Sequence, residues 1–114
     1  MKRILIFETE DLTANFLKEK LEQVGYETLI AKTSEQVIDI FKKDKVNLMI
    51  LSDSLENVFL KLRDIKQKFN VPIIMILNSN QPEQLKKIDG LVKDVIFKTD
   101  FSIKAIILKV RKLI

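Results

Sequence analysis

The 114-residue chain contains neither cysteine nor histidine. Without cysteine there is no disulfide framework and no thiolate metal site, a composition that suits a reducing cytoplasm. Without histidine, the commonest general base, the usual transition-metal ligand and every Ser-His or Cys-His nucleophile pair are missing. Long apolar runs are also missing. None approaches the ~18 residues of a membrane span. Ile4 to Phe7, after the charged start Met1-Lys2-Arg3, is much shorter than the ~7–15-residue core of a signal peptide. The expectation is a cytoplasmic domain with no membrane partner. Lys and Arg (20) outnumber Asp and Glu (16), but the charges are interspersed and only the C-terminal end is clearly basic. That balance is too mild to imply a nucleic-acid partner.

What remains is ordinary for a soluble globular chain, and the length suits one domain over 1–114. No internal repeat, linker or low-complexity stretch interrupts it. Leu48-Met49-Ile50-Leu51 is an unbroken apolar run bounded by polar residues, which reads as a central strand buried on both faces of a parallel sheet. In open α/β sheets, ligands collect beyond the carboxyl ends of such strands, so Ser52, Asp53 and Ser54 stand where a functional group belongs.

The rest of the chain alternates around this strand. Ile4 to Phe7 reads as the first strand and Glu8-Thr9-Glu10-Asp11 as an acidic loop. A helix over about 12–24 presents Ala14, Leu17, Leu21 and Val24 to the core and ends at Gly25. Residues 27–31 read as an edge strand. A second helix begins at Thr33 or Ser34 as N-cap and buries Val37, Ile38 and Phe41. The pattern predicts a third helix over roughly 55–69 with Val58, Leu62, Ile65 and Phe69 as its stripe. A fourth strand over 71–77 is tolerable only if Pro72 lies at its start. A polar loop over 78–81 then leads to a short helix opening at Pro82. Val95 to Phe97 makes the fifth strand, and a last helix over about 101–113 is capped by Asp100 or Ser102. Five strands alternating with five helices make a doubly wound parallel sheet.

Met1-Lys2-Arg3-Ile4-Leu5-Ile6 before an acidic cluster, "QVGYE" at the end of the first helix, Val71-Pro72-Ile73-Ile74, and Lys98 closing the fifth strand together resemble the receiver domain of bacterial response regulators. The resemblance covers essentially the whole chain. It implies a flavodoxin-like sheet of order 2-1-3-4-5, with a site built from the loops after strands one, three and five. In that family an aspartate ending strand three accepts a phosphoryl group from a histidine kinase, beside a divalent cation held by neighbouring acids. Ser52 falls at the acceptor position. Glu8 keeps the first carboxylate after strand one, Thr9 replaces the second, and Leu77 falls where a hydroxyl meets the phosphoryl group. Lys98 matches, with Thr99 in place of the usual proline. The loop after strand three lacks the family's glycines and is about two residues shorter, and Val95 replaces the switch aromatic.

A serine hydroxyl needs an adjacent base to become nucleophilic, and no histidine supplies one. Asp53 is the alternative acceptor, but strand alternation points it away from the position Ser52 occupies. Glu8, Glu10 and Asp53 are the weak candidates for a cation site, against a solvated acidic loop near a helix N-terminus. Lys98 is expected as a surface lysine or a partner to Glu8 or Asp53. On the last helix, Ile103, Ile106, Ile107, Val110 and Ile114 gather on the core side, leaving Phe101, Ala105 and Leu108 opposite as a candidate interface. The expected function is that of a degenerate receiver, not an enzyme. It would bind no cofactor and act through a protein partner or a homodimer at the last helix. The alternative is a functional receiver phosphorylated on Asp53 with Mg²⁺. A flavin-binding reading is disfavoured because the loop after strand one is acidic and glycine-free.

Overall fold

The computed structural model describes residues 1–78 and 82–114. Five strands, β1 (Arg3–Phe7), β2 (Glu27–Ala31), β3 (Leu48–Ser52), β4 (Ile73–Leu77) and β5 (Asp94–Phe97), alternate with five helices. These are α1 (Asp11–Gln23), α2 (Ser34–Lys43), α3 (Val58–Lys68), α4 (Pro82–Ile88) and α5 (Ile103–Leu113). The strands are all parallel, in the order β2-β1-β3-β4-β5. Successive strand residues face opposite sides of a sheet, and here parity sorts the core. Ile4, Ile6, Leu48, Ile50, Ile74, Ile76 and Ile96 pack with α1 (Ala14, Leu17, Leu21) and α5 (Ile106, Val110). Leu5, Phe7, Met49, Leu51, Ile73, Met75 and Leu77 pack with Val37 of α2, Val58, Leu62 and Ile65 of α3, and Ile88 of α4. Both faces are covered, which is why β1, β3 and β4 read as continuous apolar runs.

Helix ends follow local chemistry. The Thr33 side chain accepts from the Gln36 amide and Ser102 from the Ala105 amide, each satisfying an amide of the first turn. Gly25 ends the α1 turn at φ 97°, a conformation that costs glycine nothing. Pro72 precedes β4 and offers only its carbonyl, which accepts from the Met49 amide at 3.0 Å. Beyond Asn78, the polar loop expected over 78–81 lies outside the described residues.

Two helices start later than expected. The third helix starts at Val58, because residues 53–57 form a turn that ends with Asn57 in the left-handed region (φ 54°, ψ 39°). Leu55, expected in that helix, reaches the core from the turn instead, at 4% exposure. The last helix starts at Ile103, after a 3₁₀ turn over Lys98–Asp100, so Phe101 precedes it. Among the described residues, no helix is long and apolar enough to cross a membrane.

Candidate functional site

The Glu8 amide still donates to the Ala31 carbonyl (3.2 Å), so β1's alternation runs one residue past the strand and turns Glu8 to the side of Ile4 and Ile6. Ser52 ends β3 on that same side, with Leu48 and Ile50. The two therefore meet beyond the carboxyl ends of neighbouring strands. Both are sealed from solvent, Glu8 at 1% exposure and Ser52 at 0%.

Ser54 joins them. Its hydroxyl donates to Glu8 Oε2 at 2.6 Å and lies 2.9 Å from the Ser52 hydroxyl. A hydroxyl has one proton to give, so Ser52 is the donor in the second bond. The Ser52 oxygen also accepts from the Ser54 amide at 3.2 Å, and Glu8 Oε2 accepts from the Thr9 amide at 2.9 Å. Glu8 Oε1 is buried and has no hydrogen-bond partner among the described residues.

Asp53 belongs elsewhere. Its amide donates to the Ile76 carbonyl (2.9 Å), and its Oδ2 accepts from the Asn78 amide (2.8 Å), tying the β3 turn to the end of β4. Asp53 Oδ1 is buried with no partner among the described residues. Leu77, at the position of the family's hydroxyl, is fully buried in the face shared with α2, α3 and α4, and pairs with Phe97 in the sheet register. Lys98 Nζ approaches Glu10 Oε1 at 3.4 Å, which corrects the expectation of Glu8 or Asp53 as its partner. Glu8 is turned into the core and Asp53 toward β4, whereas Glu10 stays at the surface.

This donor set does not fit the Mg²⁺ of the family. A hard divalent cation needs several convergent anionic oxygens. Here the two positions that would add carboxylates hold Ser52 and exposed Thr9, Asp53 is tied to Asn78, and Glu10 is paired with Lys98. Among the described residues, no three acidic side chains gather where one ion would fit.

The three residues expected as one strip on the last helix are separated. Phe101 lies ahead of the Ser102 cap, where helical spacing does not apply, and its ring packs 5.7 Å from that of Phe16 on α1. Ala105 lines a groove of about 180 Å³ against Val95, Ile96 and Phe97 of β5, with Lys109 at its edge. Lys109 pairs with Asp94 at 2.8 Å. Leu108 is 53% exposed and lines a different groove, toward the end of α1. Sequence reasoning passed over Ser54 as the link between Ser52 and Glu8, although two-residue spacing kept it on Ser52's side. It also placed Val24 in the core, whereas Val24 lies past the end of α1 and lines the Leu108 groove.

No protein-family model matches this sequence. Among curated proteins, the chain is 29% identical to the transcriptional regulatory protein YxdJ of Bacillus subtilis, over 97% of this chain and 49% of that protein. It is 23% identical to the response regulator RR06 of Streptococcus pneumoniae, over 97% of this chain and 52% of that protein. The chain spans about half the length of these relatives. Among solved structures, a two-component response regulator from Clostridium difficile superposes with TM-score 0.89 at 20% identity, covering 99% of this chain and 95% of that one. A response regulator from Thermotoga maritima gives TM-score 0.88 at 16% identity, covering 99% and 97%. The chain has the fold of these response-regulator structures, with the sheet order β2-β1-β3-β4-β5, and its relatives by sequence include a response regulator and a transcriptional regulatory protein.

Proposed function

We propose that this chain is a pseudo-receiver: a receiver domain of two-component signalling that works without aspartyl phosphorylation and without Mg²⁺, as a protein interaction or dimerisation module in the cytoplasm. One observation carries the reading. The group at the acceptor position is a serine hydroxyl at 0% exposure, already donating to Ser54. Ser54 in turn donates to Glu8, so the Glu8 carboxyl meets Ser52 through the Ser54 hydroxyl and not as a base on Ser52 itself. The protein has no catalytic role in this reading, and its contacts are made through surfaces of the last helix. We assign this domain no nucleic-acid or membrane partner.

The alternative, a working receiver phosphorylated on Asp53 with Mg²⁺, has in its favour that Asp53 Oδ1 and Glu8 Oε1, oxygens of two of the cation candidates, have no partner among the described residues. Intact mass after treatment with a small acyl-phosphate donor in Mg²⁺ decides between them. The expected outcome is no phosphate added. A stable phosphate gain that Asp53→Asn abolishes would establish the alternative. Melting curves give a second check, because a ligand stabilises the fold only in proportion to its occupancy of the native state. Low-millimolar Mg²⁺ is expected to leave the melting temperature unchanged.

A further inference from the structure

Past the end of α1, Val24 meets α5 across a shallow groove of about 340 Å³. It is lined by Val24, Ile103, Ile107 and Leu108 and edged by Lys104 and Arg111. Two of its walls are left in water, Leu108 at 53% exposure and Val24 at 36%, while Ile103 and Ile107, expected on the core side of the helix, are half-buried here. These residues are spare to the core, because Ile106 and Val110 already bury the inward face of α5. The helix carries Lys104, Lys109, Arg111 and Lys112 and no acidic residue at all. Lys109 is matched by Asp94, on the side of α5 that faces β5. Arg111, on the groove side, has no ion-pair partner among the described residues. The edge of the groove is therefore positively charged.

We propose that this groove between the end of α1 and α5 is a docking site for an amphipathic helix of a protein partner, with two or three apolar anchors on one face and Asp or Glu beside them. This rests on the pseudo-receiver reading and gives its partner a chemistry. Ile103 and Arg111 are eight residues apart, about 12 Å along the helix and so about two turns of a helix laid alongside. Anchors spaced i, i+3 or i+4, and i+7 on such a partner fill a groove of this kind. Charge complementarity selects the acidic version, since an acidic rim meets Lys104 and Arg111 while a basic one repels them. A second copy of this chain fits less well: a two-fold contact sets the same surface against itself and brings Arg111 and Lys104 up to their own copies. A bilayer fits less well again, because a flat apolar slab does not fill a concave groove.

The test uses the whole domain and a designed probe: a helical peptide with leucines at i, i+3 and i+7 flanked by glutamates, and a twin with lysines in place of the glutamates. Binding is followed by amide chemical shifts. The acidic peptide should bind and move Val24, Ile103, Ile107 and Leu108, with affinity falling as salt rises. Leu108→Glu and Arg111→Glu should each weaken it about tenfold, the loss expected for a central anchor or a matched charge. Both variants should keep the wild-type melting temperature, which separates lost binding from lost folding. Equal binding of the lysine twin, or shifts lying elsewhere, would overturn the proposal. So would Leu108-dependent self-association in sedimentation, or Leu108-dependent binding to vesicles of anionic phospholipid. A domain that takes up no phosphate and still ignores the acidic peptide refutes the groove and leaves the pseudo-receiver reading intact. Phosphate uptake with peptide binding unchanged does the reverse.

Discussion

Ser54 stands between two buried polar groups, giving its proton to Glu8 and taking one from Ser52. Removing the hydroxyl leaves buried polar atoms of Ser52 and Glu8 without their partner, so Ser54→Ala should lower unfolding stability by about 1–3 kcal/mol. Ser54→Thr, which keeps the hydroxyl, should lose much less. Equal losses in denaturant melts would mean that shape at this position matters and the hydroxyl does not. Ser52→Asp poses the complementary question. It restores the family's acceptor but sets a second carboxylate in a sealed site beside Glu8, and unpaired buried charge is costly. It is expected to destabilise the domain and to remain unphosphorylated by an acyl-phosphate donor, because Thr9 supplies no ligand for the cation and Leu77 no hydrogen bond. Ser52→Asp with Thr9→Asp has the better prospect. Phosphorylation of the single variant would show that the shortened loop after β3 already has a competent geometry.

The turn before α3 is the element that periodicity misjudged. Asn57 holds φ 54°, a region in which Asn is tolerated and a β-branched residue is strained. Asn57→Val should cost about 1–2 kcal/mol and Asn57→Gly almost nothing, as read from denaturant midpoints. If Val is tolerated there, the turn does not hold that conformation in solution. The sheet was readable because strands buried on both faces need only be apolar, and β1, β3 and β4 meet that condition, leaving β2 and β5 as the shorter or more polar edges. The α3 start was not, because Leu55 sits in helical phase with Leu62 while packing from a turn. The site was half legible for a related reason. Parity along β3 separates Ser52 from Asp53, and the structure keeps them apart. Yet nothing in spacing foretells that Lys98 reaches Glu10, since that depends on how two loops approach each other.

At the scale of the whole molecule, two cores lie on opposite faces of one sheet, and β3 contributes to both. Leu62 of α3 is fully buried in one, and Tyr26 packs against the other. Tyr26 is the single tyrosine in a chain without tryptophan, so its fluorescence reports on the α1/α5 face alone. Leu62→Ala opens a cavity on the opposite face and should cost about 2–5 kcal/mol. If the sheet makes the two faces one cooperative unit, the Tyr26 midpoint falls with the far-ultraviolet circular dichroism midpoint and the two curves superimpose, as two-state unfolding requires. A Tyr26 transition that stays at its wild-type position while the helical signal melts early would instead make each face an independent unit. Cooperativity of this kind also bears on the docking site: with both faces locked to β3, a helix seated beside Leu108 stabilises the entire domain. Saturating acidic peptide should then raise both midpoints of Leu62→Ala together, by the amount its occupancy of the native state dictates.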